Sequence, residues 1–299
     1  MYFPFIRYRQ IFYIISLILI IASIASIFIF GLNLGIEFTG GSLLKITYKT
    51  KIPSLLEIEN NLKELKLGKI SLQKENQKTV VLKMKPLNKD EYKQLLEQLK
   101  KVGEIEKGSE DFLLIGPSIG KELKQKTRVV IFLAILAILI YITLSFRKIS
   151  RPVPSYVYAL AGIIALGHDV LITLGILVIW GYFQSVEITI PIITAFLIII
   201  GYSINDTVVV FDRIRENLMK TSREFIFEIT TENSLNQTLV RSLNTSLTVL
   251  FVLLPIFFFG STALKFFALT LIFGIFFGTY SSLFLAAPLI VSFGQKFKK

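Results

Sequence analysis

The chain has 299 residues, no cysteine, one histidine and a formal net charge of +12. Hydrophobic residues make up 53% of it, and the mean hydropathy is +0.64. The absence of cysteine excludes disulfides and thiolate metal sites, and a single histidine disfavours a histidine-based metal cluster, so we expect no metal and no cofactor. The apolar residues lie in discrete blocks, which is typical of an integral membrane protein. Basic residues flank these blocks, so we attribute the charge to membrane topology and expect no nucleic-acid partner.

The first apolar block runs from Gln10 to Ile36 without a charged residue and follows Arg7 and Arg9. Its apolar part is longer than the core of a signal peptide, and no small-residue cleavage site follows it. We therefore predict an N-terminal tail and a first transmembrane helix over residues 1–31, retained as an anchor.

A polar region over residues 32–127 follows, in which strand-like and helix-like segments alternate. Apolar residues recur at helical spacing in its first helical segment, and Asn88 is a candidate cap for the second. The order predicts a small ferredoxin-like α+β domain. No pattern there indicates catalysis, so we expect a binding surface at most and no enzyme. The predicted segments are Ser42–Lys49, Pro53–Leu67, Lys69–Leu72, Thr79–Met84, a helix after Asn88, and Phe112–Ile115.

Five further transmembrane helices are predicted over residues 128–299. With the first helix they make an all-α membrane bundle of six transmembrane helices, and the α+β domain lies between helices 1 and 2. The apolar blocks that predict these five helices are Val129–Phe146, Val153–Val186, Ile188–Asn205, Ser242–Leu264 and Phe266–Gln295.

Lys and Arg residues orient the predicted helices. By the positive-inside rule both termini are expected in the cytoplasm, residues of about 32–127 outside it, and a cytoplasmic loop at about 212–237 before a basic C-terminal tail. The opposite loops carry little basic charge, Lys265 being the exception. The orienting residues are Arg7, Arg9, Arg147, Lys148, Arg151, Arg213, Arg215, Lys220, Arg223, Lys296, Lys298 and Lys299.

Asp206 is the most unusual residue in the apolar blocks, because it closes the uncharged run Ile188–Asn205. An Asp at the centre of a membrane helix costs about 2.5–3.5 kcal/mol on insertion scales, so it lies near an interface or has a function. At about 1.5 Å per residue it lies roughly 22–27 Å along its helix, toward the cytoplasmic side.

Arg241 opens the fifth predicted helix at a similar depth and forms a candidate pair with Asp206. It belongs to a polar stripe at helical spacing that is expected to face other helices or a water-filled cavity rather than lipid. The other members of the stripe are Thr238, Asn244, Thr245 and Thr248.

A second polar site, His168-Asp169, lies near the middle of the long third block. A carboxylate at this depth is expected to be neutral, paired or hydrated. In the sixth helix, Gly274-x-x-x-Gly278-x-x-x-Ser282 is a seam of small residues that predicts close helix packing.

Two interpretations of these polar residues remain open. In the structural one, Arg241 reaches toward the headgroups, Asp206 is an interface residue, or the two form a static ion pair. In the functional one they form a proton relay, because movement of an Arg toward or away from a buried carboxyl changes its affinity for a proton.

Several motifs of the chain resemble those of the SecF family, the accessory subunit of the bacterial Sec protein translocase. Gly35-Ile36-Glu37-Phe38-Thr39-Gly40-Gly41 is similar to its G-[IL]-D-F-x-G-G element, with Glu37 where the family usually has Asp. The others are Gly116-Pro117-Ser118-Ile119-Gly120, His168-Asp169-Val170, Gly201-Tyr202-Ser203-Ile204-Asn205-Asp206 and Asp212-Arg213-Ile214-Arg215-Glu216-Asn217. The last of these is specific for SecF over its sister SecD.

The resemblance implies a function. SecF-like proteins pair with SecD, join the SecYEG channel and use the proton-motive force to assist export of preproteins across the cytoplasmic membrane. It implies proton-relay roles for Asp206 and Arg241, with His168 and Asp169 as a secondary site. It also implies motif roles for Gly40, Gly41, Gly116, Pro117, Asp212, Arg213 and Glu216. SecD, SecYEG, a YajC-like subunit, translocating preproteins and the lipid bilayer are the expected partners.

Two other functions remain open at this point. One is a non-transporting scaffold that stabilises a partner channel, with Asp206 and Arg241 as a static pair. The other is a small transporter of the resistance-nodulation-division type, although the outer domain is small for an efflux pump.

Overall fold

The structure is a computed structural model that describes residues 2–63, 65, 67–68, 70–146, 153–184, 186–220 and 227–296. The chain divides into two compact units. One comprises Met1–Asn33 and Val130–Lys299, and the other comprises Leu34–Val129. Several basic residues used above to predict orientation lie outside the described residues, namely Arg147, Lys148, Arg151, Arg223, Lys298 and Lys299.

Six helical spans in the described residues are long and apolar enough to cross a membrane, which confirms the predicted bundle. The sixth span joins two helices, α9 and α10, through a π-helical turn at Ser282–Ala286. The helices are α1 (Arg9–Phe30), α5 (Pro117–Ser145), α6 (Ser155–Gln184), α7 (Ile190–Lys220), α8 (Phe227–Phe259), α9 (Thr262–Ser281) and α10 (Ala287–Lys296).

Helices α6, α7 and α9 form the interior of the bundle, and small residues allow their close approach. A methyl group added to Gly274 would overlap the side chain of Ile199 on α7, and one added to Gly278 would lie 3.2 Å from Cβ of Ser203. The small-residue seam therefore packs α9 against α7, as predicted. Helices α1 and α5 expose most of their apolar side chains, as expected for surfaces in contact with lipid.

The segment predicted as a loop at about 212–237 is mostly helical. Helix α7 continues to Lys220 and α8 begins at Phe227. The loop prediction was wrong because charged residues after the apolar block were interpreted as the end of the helix. Charged residues at i, i+3 and i+4 spacing extend a helix beyond the apolar block by pairing along its surface.

The N-terminal segment is held against the start of α8 by a residue that the sequence analysis did not single out. The carboxylate of Glu232 accepts hydrogen bonds from the backbone N–H groups of Phe5 (2.6 Å) and Ile6 (2.8 Å). Asn236 accepts from the Phe3 backbone N–H at 2.7 Å and donates to its carbonyl at 3.0 Å. These bonds satisfy backbone groups that precede the first helix.

The second unit has the predicted β-α-β-β-α-β order. Its four strands form an antiparallel sheet in the order β2-β3-β1-β4, the ferredoxin-like arrangement. A short helix, α2 (Ile36–Thr39), precedes the sheet. The remaining elements are β1 (Gly41–Thr47), α3 (Leu55–Lys63), β2 (Ser71–Lys74), β3 (Thr79–Met84), α4 (Lys89–Val102) and β4 (Asp111–Ile115).

The core of this unit is apolar and its helices are capped. Leu44 and Leu82 from the sheet pack with Leu95 of α4, and all three are fully buried. Asn88 accepts hydrogen bonds from the backbone N–H groups of Asp90 and Glu91, and the Glu91 side chain accepts one from the N–H of Asn88. This capping box confirms the predicted start of α4.

Candidate proton-relay site in the helical bundle

Asp206 lies on the buried face of α7, with 5% of its surface exposed. The hydroxyl of Ser282, at the start of the π-helical turn, donates to its Oδ2 at 2.8 Å. Ser242 and Arg241 on α8 lie close enough to interact with its carboxyl electrostatically. Asp206 is therefore a buried carboxyl that a serine of the sixth span contacts by a hydrogen bond.

Arg241 is not ion-paired with Asp206 within 4.0 Å in the described structure. Its side chain is exposed and lines a cavity of about 540 Å³ that Asp212, Arg213 and Glu216 of α7 also line. Asp206 and Arg241 thus approach each other from the two sides of one interface, α7 against α8, without forming the static pair that is the structural alternative.

Most of the predicted polar stripe on α8 faces away from this chain. Thr238 is buried, whereas Arg241, Asn244, Thr245 and Thr248 are exposed. The hydroxyls of Thr245 and Thr248 donate to backbone carbonyls of their own helix, at 3.0 Å and 2.8 Å. Among the described helices, Asn244, Thr245 and Thr248 therefore line no surface between helices, whereas Arg241 lines the cavity that it shares with α7.

Asp169 is completely buried on α6, accepts hydrogen bonds from two serines and lies within hydrogen-bond distance of His168. Ser203 of α7 and Ser281 of α9 donate to its Oδ2, at 2.6 Å and 2.8 Å, and His168 Nδ1 lies 2.8 Å from its Oδ1. The imidazole of His168 stacks on Tyr280 with ring centroids 5.7 Å apart. Three helices therefore meet at this carboxyl, and Ser203 serves Asp169 rather than Asp206, three residues away on its own helix.

The charged residues at the end of α7 pair with one another. Arg215 contacts Asp212 and Arg213 contacts Glu216, each at 2.8 Å, and Lys220 contacts Glu216 at 2.6 Å. The described hydrogen bonds from this segment to α8 are neutral: the Asn217 amide donates to Ser234 at 2.8 Å and to Gln237 at 3.0 Å.

The two glycine-containing motifs of the second unit contact each other. Gly40 has a φ of 76°, and Gly41, at 153°, lies so close to β3 that an added Cβ would be 2.7 Å from the carbonyl oxygen of Met84. A Cβ on Gly40 would lie 3.0 Å from Cα of Pro117, and one on Gly120 would lie 3.0 Å from the nitrogen of Gly40. The glycines serve a tight strand entry, because no other residue fits this conformation and spacing.

The sequence analysis missed the roles of Ser281 and Ser282. Ser282 entered it as the last small residue of a packing seam, and Ser281 did not enter it. Both serines are fully buried, and each donates to a different intramembrane carboxyl. A periodicity of small residues carries no signal for these contacts, since it cannot distinguish a hydroxyl that packs from one that binds a carboxylate.

Two family comparisons match the parts of the chain described above. Residues 93–296 match the family described as protein export membrane protein SecD/SecF, C-terminal, and residues 25–52 match the SecD/SecF GG motif. The chain belongs to the SecD/SecF family.

Relatives within this family place the chain on the SecF side. It is 39% identical to protein translocase subunit SecF of Thermobaculum terrenum, over 97% of this chain and 94% of that one. It is 37% identical to protein translocase subunit SecF of Sebaldella termitidis, over 97% and 91%. With six apolar spans, the chain is a multi-pass membrane protein of the protein-translocase class.

A solved structure of the SecD/SecF family has the same fold. The crystal structure of SecDF, a translocon-associated membrane protein from Thermus, matches 99% of this chain with a TM-score of 0.85 and 29% identity. This chain spans only 39% of the SecDF chain. The match therefore concerns one part of a longer protein.

Proposed function

We propose that this chain assists protein export as a subunit of the Sec translocase and that it does so by binding and releasing protons at Asp206. The observation that carries the proposal is the geometry of Asp206: a buried carboxyl that a serine hydroxyl contacts, with Arg241 on the adjoining helix, whose guanidinium has no ion pair among the described residues. A buried carboxyl is rarely retained in a membrane helix without such a function.

The chemistry follows from the charge of Asp206. A charged carboxylate attracts the Arg241 guanidinium and accepts a hydrogen bond from Ser282, whereas a protonated carboxyl loses the attraction to Arg241. Because Arg241 lines a cavity, its side chain has room to approach or leave. Moving one charge through the membrane potential supplies about 2.3 kcal/mol per 100 mV, which is enough to bias a helix movement.

His168 and Asp169 form the second proton site of this proposal. Asp169 is fully buried, and Nε2 of His168 has no hydrogen-bond partner among the residues that the structure describes. Nε2 is therefore the nitrogen of the imidazole that does not contact the Asp169 carboxyl.

The proposed partners are a SecD-like chain, a SecYEG channel, a YajC-like subunit and translocating preproteins. The exposed stripe Arg241, Asn244, Thr245 and Thr248 supports a membrane partner, because polar side chains on a membrane helix are unfavourable against lipid. We propose that a SecD-like chain covers this stripe, that both termini are cytoplasmic and that residues of about 32–127 lie outside the cytoplasmic membrane.

The test replaces Asp206 with Asn in membrane vesicles where this chain substitutes for the resident SecF. The amide keeps the size of the side chain but cannot exchange a proton, so we expect preprotein export to lose its stimulation by the proton-motive force. Glu228→Gln is the matched control, since Glu228 is an exposed carboxylate of α8 that contacts Arg9 and lies outside the buried site. Full stimulation in the Asp206 variant would refute the relay.

A double charge swap separates the relay from a scaffold. Asp206→Arg combined with Arg241→Asp preserves any static attraction between the two positions. A scaffold is expected to tolerate the swap, whereas the relay is expected to fail because the carboxyl then lies on the exposed face of α8.

A further inference from the structure

Two consecutive residues of one helix contact both intramembrane carboxyls. The Ser281 hydroxyl donates to Asp169 of α6, and the Ser282 hydroxyl donates to Asp206 of α7, each at 2.8 Å. Both serines are fully buried. One turn of the sixth span therefore holds the acids of two other helices.

Each serine also has a second acceptor on its own helix. The Ser281 hydroxyl lies 3.2 Å from the carbonyl oxygen of Gly278, and that of Ser282 lies 3.0 Å from the carbonyl oxygen of Thr279. A hydroxyl has one proton and donates fully to one acceptor at a time. A charged carboxylate is the stronger acceptor, so it holds the proton of the serine.

Protonation of a carboxyl reverses this hydrogen bond. The neutral carboxyl has an O–H of its own to donate, the serine oxygen can accept it, and the serine proton returns to the carbonyl three residues before it. Serine hydroxyls that bond to the preceding turn bend helices. The protonation state of each carboxyl thus changes the hydrogen bond between its serine and the backbone carbonyl three residues earlier.

Both carbonyl acceptors lie in the last turn of α9, directly before a π-helical turn. The π-helical turn begins at Ser282 and separates α9 from α10. Single π-helical turns within α-helices are uncommon and occur frequently at functional sites, because they interrupt the regular hydrogen-bond ladder. A change in the hydrogen bonds of Ser281 therefore acts on the residue that holds Asp206.

We propose that Ser281 and Ser282 are positioning residues that couple the protonation of Asp169 to that of Asp206 through the π-helical turn. This inference rests on the proposed proton exchange at these carboxyls. The other groups that face each carboxyl act on one site: His168 and Ser203 at Asp169, with Tyr280 stacked on the imidazole, and Arg241 and Ser242 at Asp206.

The test is an infrared pH titration of the full chain in lipid vesicles. Protonated carboxyls give a C=O stretching band, and the Asp169 and Asp206 contributions are assigned by their loss in Asp169→Asn and Asp206→Asn. The quantity measured is the pH at which Asp169 is half-protonated, with and without Asp206→Asn. Two coupled sites change each other's titration midpoint. With both serines present, we expect Asp206→Asn to move the pH at which Asp169 is half-protonated by about 0.5–1 pH unit.

The serines are then removed by Ser281→Ala and Ser282→Ala together. We expect the shift caused by Asp206→Asn to fall to less than about half, because direct Coulomb interaction remains but the linked hydroxyls do not. Ser26→Ala is the matched control, since Ser26 of α1 is a buried hydroxyl that donates to backbone carbonyls instead of a carboxyl. It should leave the shift unchanged.

An equal shift with and without the serines would overturn the inference, as would the absence of any band assignable to Asp169 or Asp206 between about pH 4 and 10. Circular dichroism of each variant checks that the bundle is folded. If the double variant is not folded, Ser281→Ala alone is measured in its place. Coupling through the serines together with full export stimulation in Asp206→Asn would refute the proposed function and leave the inference standing.

Discussion

The two units of this chain differ in how many polar side chains they bury. In the second unit the buried residues are almost all apolar, with Ser42 and Thr79 as the polar exceptions among those described. In the bundle the described interior includes His168, Asp169 and Asp206 with many serines and threonines, while large apolar side chains such as Phe28 and Phe132 are exposed.

The difference follows from the solvent of each unit. The second unit has the apolar core of a domain that folds in water, because exposed apolar surface is unfavourable there. Lipid is as apolar as leucine and supplies no such drive, so the bundle is held by close packing of small residues and by interhelical hydrogen bonds. Polar residues are therefore expected inside the bundle, and the question for each is whether it only packs or also exchanges protons.

The largest effect on stability is expected from the truncation of a leucine in the apolar core of the second unit. Leu44→Ala leaves a cavity under the sheet and should lower the free energy of unfolding of that unit by about 2–5 kcal/mol. Leu17→Ala, on the exposed apolar face of α1, should change stability by less than about 0.5 kcal/mol. Hydrogen exchange of the β1 and β3 amides in the full chain measures the first, and thermal unfolding in detergent the second. Equal effects would contradict the comparison.

A glycine substitution in the bundle should have the next largest effect. Gly274→Ala forces Ile199 to move, and overpacking of this kind costs about 1–3 kcal/mol. Gly201→Ala is the control, because an added Cβ there meets no atom within 4 Å and alanine favours a helix. Thermal unfolding in detergent should show a lower midpoint for Gly274→Ala alone. Similar midpoints for both variants would mean that the seam is not tightly packed.

The smallest effect is expected at the capping box of α4. Asn88→Ala removes the acceptor for two backbone N–H groups and should cost about 1 kcal/mol, measured by hydrogen exchange of α4.

The same cap gives a pH dependence. The hydrogen bond from Lys85, followed by that from the Asn88 backbone, lowers the pKa of Glu91 below its usual value of 4.5. A lowered folded-state pKa means that the stabilisation is present above about pH 4.5 and is lost as the pH falls through the folded value. Glu91→Gln should remove this pH dependence of stability, as measured by hydrogen exchange of α4. Glu97→Gln, on the same helix, should retain it.

The sequence by itself determined the class, the number of spans and the family. Apolar blocks of membrane-spanning length show directly which segments lie in lipid. The alternation of strands and helices in the second unit is predictable because it follows from local residue patterns. Asp206 and Asp169 were also evident from sequence, because a charge within an apolar block is visible without a structure.

The tertiary structure alone decided what these acids contact. Ser203 belongs to Asp169, Ser282 belongs to Asp206, and the polar stripe with Arg241 faces outward. The hydrogen bonds from the N-terminal segment to Glu232 were likewise not predictable from the sequence. Periodicity predicts which residues share a face of one helix, but the partner of that face depends on how the helices cross. Ser281 and Ser282 are neighbours in the sequence, yet they contact two different helices.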